Sequence, residues 1–398
     1  MRGSRAAVCS LTALMCWLGG LADPVGAQAL KVGVTALVTD DPAAHPAAIT
    51  DSALVNPWGV SHSASSPFWV SDNGTGKATL YAVDPTTGTP TKNALAVSIP
   101  GDGSVTGQAF NGASATGAFN SDVFLFVSED GTVSGWRGTL GSTAENLVLG
   151  SSENVYKGTT LGTSNGSSYL YSANFLKGTI DVLKGSASSP ALAGSFTDPN
   201  LPSGYAPFNI QNLGGALFVT YAPQDASGKN EVAGAGNGIV DVFDLQGVLQ
   251  RRLVSGGALN APWGLALAPS SFGALAGDLL VGNFGDGRIH VYDPTSGALV
   301  DTLTGPGGQA LSIDGLWALI GGNGGNGGNA DLLYFTAGPD GESHGLFGVL
   351  TPVPEPGSLA LLALGLLGLG GVRRRRDSNG ARHPGVHLPG ECRSLRAS

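Results

Sequence analysis

Cysteine is missing from the whole middle of this chain: the three present, Cys9, Cys16 and Cys392, lie in the terminal segments. Residues 31–350 can therefore form no disulfide, present no thiolate nucleophile and build no cysteine metal site. Charge is scarce as well. Asp, Glu, Lys and Arg make up 12% of the 398 residues, about half the usual share. Positive charge is scarcer still. From Lys31 to Leu350, 11 Lys and Arg stand against 25 Asp and Glu, a net of −14. An acidic body of this kind argues against nucleic-acid binding, which needs a positive surface to displace counterions. It leaves room for cation binding or for solubility alone.

What the chain has in excess is glycine, 64 residues of 398, more than twice the usual share. The glycines have no period of three, which excludes collagen. Each would cost about 1 kcal/mol relative to Ala inside a helix, which argues against a helical bundle. With 42% hydrophobic residues the chain is too apolar for a disordered one. A turn-rich all-β protein is what remains, long enough for one large core or two smaller ones.

Both ends read as addresses. At the N-terminus, Arg2 and Arg5 precede an apolar stretch from Ala6 to Leu18, then Gly19, Gly20, Pro24 and the small residues Ala27 and Ala29. This is the order of a secretory signal peptide over residues 1–29, delivered to the Sec translocon and cut after Ala27 or Ala29. At the C-terminus, Pro354, Glu355 and Pro356 precede an uncharged apolar stretch over 357–372, and Arg373, Arg374, Arg375 and Arg376 follow it directly. The stretch is expected to be a membrane helix with its arginines held on the cytoplasmic side. A polar tail, 377–398, is expected to be disordered.

Residues 352–376, with the Pro-Glu-Pro motif, the apolar helix and the basic cluster in that order, resemble the PEP-CTERM sorting signal of Gram-negative bacteria. The resemblance implies recognition by an exosortase-type membrane peptidase. It further implies export, transient anchoring by the C-terminal helix, and arrival at the cell surface or in an exopolysaccharide matrix.

Between the addresses the chain repeats itself. Ser71-Asp72-Asn73-Gly74 leads into Ala78 to Val83 and then Asp84-Pro85-Thr86-Thr87-Gly88. Gly282-Asn283-Phe284-Gly285-Asp286-Gly287 leads into Arg288 to Tyr292 and then Asp293-Pro294-Thr295-Ser296-Gly297. Looser copies begin at Ser128, Ser172, Gly236 and Gly338, making six hairpin-like units. A second phrase recurs as Asn56-Pro57-Trp58-Gly59-Val60, Ala206-Pro207-Phe208-Asn209-Ile210 and Ala261-Pro262-Trp263-Gly264-Leu265. A period of this size, with several short strands per unit, predicts a six-bladed β-propeller over residues 30–351. One blade cannot bury both of its faces, whereas blades packed around an axis can. The sixth unit lacks an outer strand after Leu350, and Lys31 to Val38 is expected to supply it and close the ring. Two β-sandwiches are the alternative. Over these same phrases the body resembles a family of exported propeller proteins that are NHL-like in appearance. That resemblance implies a fold and no activity.

Catalytic patterns are thin. Gly162 to Gly166 fits G-x-S-x-G, but no helical period follows it to build a nucleophile elbow. The body histidines, His45, His62, His290 and His344, show no metal-ligand spacing, and His290 reads as a blade-face residue. The Gly-Gly-Asn run before Asp331 reads as a loop between strands. Six-bladed propellers include calcium-dependent lactonases and other hydrolases that act at the mouth of the axial channel. The axial candidates here are Asn56, Asn209, Asn260 and Asp314, which could hold Ca2+ weakly, with Asp314 the one carboxylate. The near-identical settings of Trp58 and Trp263 favour packing over sugar stacking. The sequence thus points to a non-enzymatic, exported propeller that binds or builds the envelope or exopolysaccharide matrix. A calcium-dependent hydrolase or lactonase is the alternative.

Overall fold

The computed structural model describes residues 30–353. The expected signal peptide, the Pro354–Pro356 motif, the 357–372 span, the Arg373–Arg376 cluster and the tail lie outside the described residues. Among the described residues no helix is long and apolar enough to cross a membrane.

The chain enters through β1 (Val32–Thr39) and β2 (Ile49–Thr50). It then lays down six antiparallel blades, each from the axis outward. Blade 1 is β3 (Pro57–Ser61), β4 (Phe68–Asp72), β5 (Lys77–Val83) and β6 (Pro90–Ser98). Blade 2 is β7 (Val105–Phe110), β8 (Phe124–Ser128), β9 (Val133–Trp136) and β10 (Glu145–Val148). Blade 3 stops at three strands, β11 (Tyr156–Ser164), β12 (Ser167–Asn174) and β13 (Thr179–Lys184). Blade 4 is β14 (Tyr205–Leu213), β15 (Ala216–Pro223), β16 (Ile239–Phe243) and β17 (Leu249–Ser255). Blade 5 is β18 (Pro262–Leu267), β19 (Leu279–Asn283), β20 (Ile289–Tyr292) and β21 (Leu299–Thr302). Blade 6 is β22 (Leu316–Gly321), β23 (Leu333–Ala337) and β24 (Leu346–Pro352), completed by β1.

The six-bladed propeller is thus the observed fold, and the closure is the one expected. β1 pairs antiparallel with β24 from Val32 opposite Pro352 to Thr39 opposite Leu346. β2 pairs parallel with β1.

Five of the six interfaces between blades carry their own apolar cluster, and the interface of blade 6 with blade 1 shares one with the axis, which is why no blade need be stable alone. Between blades 1 and 2, for example, Trp69 stacks on Phe124 at 4.1 Å over the buried Phe126 and Val105. The inner strands approach closely enough to need glycine at particular places. A Cβ on Gly107 would stand 2.6 Å from the Thr159 nitrogen, and one on Gly59 would stand 2.7 Å from the Thr106 carbonyl oxygen. Both are shorter than any side chain tolerates.

Blade 3 departs from the four strands of the other five blades. The segment after β13 turns away to blade 4. The Gly194 and Phe196 amides donate to the carbonyls of Gln246 and Gly247 at 2.8 and 2.9 Å. The Phe196 ring packs beside Tyr171 and Phe243. Asp198 forms an ion pair with Arg252. Behind this pair lies Asp241, fully buried on β16, with Arg252 Nε 3.6 Å from its Oδ1.

Burial, reinforced by Asp198, pushes Asp241 up to about 7, against the pull of Arg252. The folded chain therefore keeps this proton over a range in which the unfolded chain, with a value of 3.8, has lost it. The stability that proton contributes is complete below 3.8 and is lost as pH rises through about 7. Calorimetric melting temperatures taken across this window are expected to fall with rising pH. Asp241→Asn should flatten that slope. A slope unchanged by the substitution would mean that Asp241 ionises normally.

Candidate functional site

The recurring phrases bring one residue from each inner strand to the axis. In blade order these are Trp58, Thr106, Lys157, Phe208, Trp263 and Trp317, each just before the close-packed position of its strand. The aromatic members plug the axis. Trp58 stacks on Trp317 at 3.6 Å, and Trp263 meets both edge-on at 6.3 and 5.8 Å. Phe208 packs against Trp317 at 6.1 Å, and Phe284, just beyond β19, stacks on it at 4.1 Å. All three axial tryptophans are at most 3% exposed. They act in packing, as the settings of Trp58 and Trp263 in the sequence indicated.

Lys157 breaks the pattern. It is 1% exposed, in a place where four other blades present an aromatic ring. Its ammonium lies 5.0 Å from the centre of the Trp58 ring and 5.9 Å from that of Phe175. It pairs with Glu129 at 2.5 Å. Burying an isolated ammonium in an apolar core is prohibitively costly, and these partners offset that cost.

A chain of polar contacts runs on from this pair. Asn73 donates to Glu129 at 3.4 Å, and Asn56 donates to Asn73 at 3.3 Å and to Glu342 at 2.8 Å. The Trp317 indole donates to Asn56 Oδ1 at 2.9 Å. Burial raises Glu342 above the usual carboxylate range, opposed by the Asn56 hydrogen bond and by Lys157. Burial likewise raises Glu231, opposed mainly by Lys157. At the axial mouth Lys157 thus pairs with Glu129 and opposes the rise that burial gives Glu231 and Glu342. The loops of these three glutamates belong to blades 2, 4 and 6.

Beside the mouth, and sharing Glu129 as a wall, lies a cleft of about 660 Å³. Asp102, Ser104, Asp130, Ser151, Asn154 and Lys229 line it. Asp130 accepts from the Asp102 and Thr132 amides at 3.0 and 2.8 Å, which fixes both loops. The size suits a small molecule or a short stretch of polymer. The lining offers hydroxyls, amides and carboxylates, the groups that bind a polyhydroxylated ligand.

The four axial candidates named from sequence are not brought together. Asn56 stands at the mouth, in the contacts just given. Asn209 is 1% exposed, and its amide donates to the Trp263 carbonyl at 2.7 Å, tying blade 4 to blade 5. Asn260 accepts from the Gly234 amide at 2.6 Å and so holds a loop of blade 4. Asp314 is exposed and accepts from the Asp340 amide at 2.9 Å. Among the described residues no three His, Cys, Asp or Glu side chains are grouped so as to hold a metal ion.

The remaining sequence candidates have settled roles. Ser164, at the centre of the G-x-S-x-G match, ends β11 at a hairpin and accepts from Gln246. His290 is on β20 with Nδ1 2.8 Å from Thr302 Oγ1. Asn323, in the Gly-Gly-Asn run, donates to the Ser63 and Ser66 carbonyls at 2.9 and 2.8 Å and so pins that loop to blade 1. Lys157, Glu129, Glu231 and Glu342 did not stand out in sequence. The one available signal was Lys157 just before Gly158, in the register where other blades carry Trp before Gly.

Residues 352–376 match the PEP-CTERM protein-sorting motif, a signal recognised by exosortase, a membrane protein. This is an exported, exosortase-sorted protein with a propeller fold. The chain is 32% identical over 319 residues to "Uncharacterized protein R648" of Acanthamoeba polyphaga mimivirus, covering 76% of each chain. It is 31% identical over 326 residues to "Uncharacterized protein L690" of the same virus, covering 76% of this chain and 82% of that one. Among solved structures it is similar to the α-L-arabinanase of Penicillium chrysogenum complexed with arabinobiose. That match has 12% identity and a TM-score of 0.49 over 82% of this chain and 98% of the other.

Proposed function

Because the chain belongs to the family of the mimiviral proteins R648 and L690, neither of which brings an activity with it, we propose its role from its own site and sorting signal. It is a non-enzymatic binding or structural component of the cell envelope or exopolysaccharide matrix, and it engages glycan through the cleft beside the axial mouth. The observation that carries this reading is the cleft itself: about 660 Å³ of hydroxyl, amide and carboxylate lining, set beside an axis closed by tryptophan. Export and surface sorting through exosortase support this reading.

A calcium-dependent hydrolase or lactonase at the axial channel is the second reading. The Glu129, Glu231 and Glu342 carboxylates are the observation behind it, but Lys157 pairs with Glu129, and among the described residues no three such side chains are grouped so as to hold a metal ion.

The test is co-sedimentation of the full chain with exopolysaccharide from its host. Binding is expected, weakened about ten-fold by Lys229→Glu together with Ser151→Ala, exposed or half-buried changes that leave the melting temperature alone. Failure to sediment with the polymer rejects the matrix role. A melting temperature that drops in chelator and recovers with Ca2+ supports the second reading instead.

A further inference from the structure

Blade 3 ends on the wrong kind of strand. In the other five blades the third strand is interior, covered by a fourth whose pairing is interrupted by a bulge. The interruptions fall between Thr79 and Tyr81 in blade 1, Asn146 and Val148 in blade 2, at two places in blade 4, between Val291 and Tyr292 in blade 5, and between Ala36 and Val38 in blade 6. Bulges twist an outer strand and blunt it against further pairing. Among the described residues β13 has no fourth strand over it, and its pairing has no bulge. Its register with β12 runs unbroken from Thr179 opposite Asn174 to Lys184 opposite Tyr169. It is built as an interior strand and placed as an edge.

The segment that would have covered it lies on blade 4 instead, held by Gly194, Phe196 and Asp198. Between that segment and β13 runs a groove. Its larger part, about 270 Å³, is lined by Tyr169, Ile180, Val182, Leu192 and Phe196, and its smaller part continues past Ile180 and Phe196 toward Gly178. Ile180 and Val182 are alternate residues on one face of the strand, the spacing at which an added strand would seat its own alternate side chains.

The charges favour one kind of occupant. The Asp181 carboxylate is taken up internally by Tyr156, Asn174 and Thr179, at 2.9, 2.8 and 2.8 Å. Asp198 is paired with Arg252. Lys177 and Lys184 bracket the strand, both exposed, and neither is in an ion pair among the described residues. The edge is therefore a positive place on a body whose net charge is −14.

We propose that the outer edge of β13 is a strand-addition site. It takes an extended polypeptide segment with small apolar residues at alternate positions and carboxylates flanking them, and that segment completes blade 3 as its fourth strand. Backbone hydrogen bonds supply the affinity, the Ile180–Val182 groove reads the alternate side chains, and Lys177 and Lys184 read the flanks.

The probe is a fluorescein-labelled synthetic peptide, Asp-Asp-Thr-Val-Thr-Val-Thr-Asp-Asp, titrated against the full chain by anisotropy, with hydrogen exchange followed in parallel. Binding should slow exchange of the 179–184 amides selectively. Lys177→Glu with Lys184→Glu should weaken it about ten-fold, as two exposed ion pairs allow. The same double variant should gain preference for a peptide flanked by lysines, at an unchanged melting temperature. Absence of binding, binding without protection of 179–184, or equal affinity for both peptides would overturn the proposal. So would sedimentation showing that the edge is already taken by a second copy of the chain.

Discussion

Trp317→Ala is expected to lower the melting temperature by roughly 10 °C. The side chain is fully buried at the centre of the molecule, stacked between Trp58 at 3.6 Å and Phe284 at 4.1 Å and met edge-on by Trp263 and Phe208. Truncating a core tryptophan costs about 3–5 kcal/mol in lost transfer energy and in the cavity left behind. In a domain of this size each kcal/mol moves the transition by about 2–4 °C. The site cannot collapse to recover much of this, since the six inner strands are held apart by backbone contacts such as those at Gly59 and Gly107. The indole also donates to Asn56 Oδ1 at 2.9 Å, so its loss frees the amide that steadies Glu342. Trp317→Phe keeps the stacking but not this donor, and should cost less than half as much. Scanning calorimetry decides the matter. A fall under about 3 °C for the alanine variant would mean that the axis is loosely filled.

The other large effect concerns the ring. A chain shortened to begin at Asp41 lacks β1, and with it the buried Val32, Leu37 and Val38 and the antiparallel ladder to β24. Each of the three side chains contributes about 1.5–3 kcal/mol of burial. The greater loss is geometric. β24 becomes an edge, and blade 6 no longer offers a complete face to blade 1. Total stability of a domain is only about 5–15 kcal/mol. The shortened chain is therefore expected to lose its cooperative transition and to aggregate through the bared edge of β24. Light scattering and calorimetry would show this. A monomer that still melted in one sharp step would mean that the closure is decorative.

Much of this architecture was legible in the chain itself. The two near-identical phrases around Ser71-Asp72-Asn73-Gly74 and Gly282-Asn283-Phe284-Gly285 fall at the same corner of blades 1 and 5, because a tight turn after the second strand needs the same residues each time. The missing outer strand after Leu350 pointed to β1, since a run such as Lys31 to Val38 must bury its apolar side somewhere.

The vacancy in blade 3 was not legible. The run from Gly185 to Asn200 is rich in Ser, Ala, Pro and Gly, and it gives no strand signal to notice missing. Nor was the axial mouth. Lys157, Glu129, Glu231 and Glu342 come from four blades, and only the closing of the circle brings them together. Spacing along the chain says nothing of that. Local use hid the fate of Asn209 too. Its amide goes to the Trp263 carbonyl of the next blade, a partner fifty-four residues on.

The pairing of β1 with β24 also sets a clock. Of the strands in the described residues, the two that lock the ring are the first and the last to be made, with Thr39 waiting for Leu346 and Val32 for Pro352. Blades 1 to 5 can form one after another as the chain emerges. The molecule cannot finish folding until its last strand has been delivered. Such a long-range contact is the slow kind, since the loop it closes is nearly the whole chain. β24 ends at Pro352, where the sorting motif begins. Completion of the fold and arrival of the sorting signal are therefore nearly the same event. A chain that presents its sorting segment has just become able to shut its ring, and one stalled earlier stays open, with β1 unpaired.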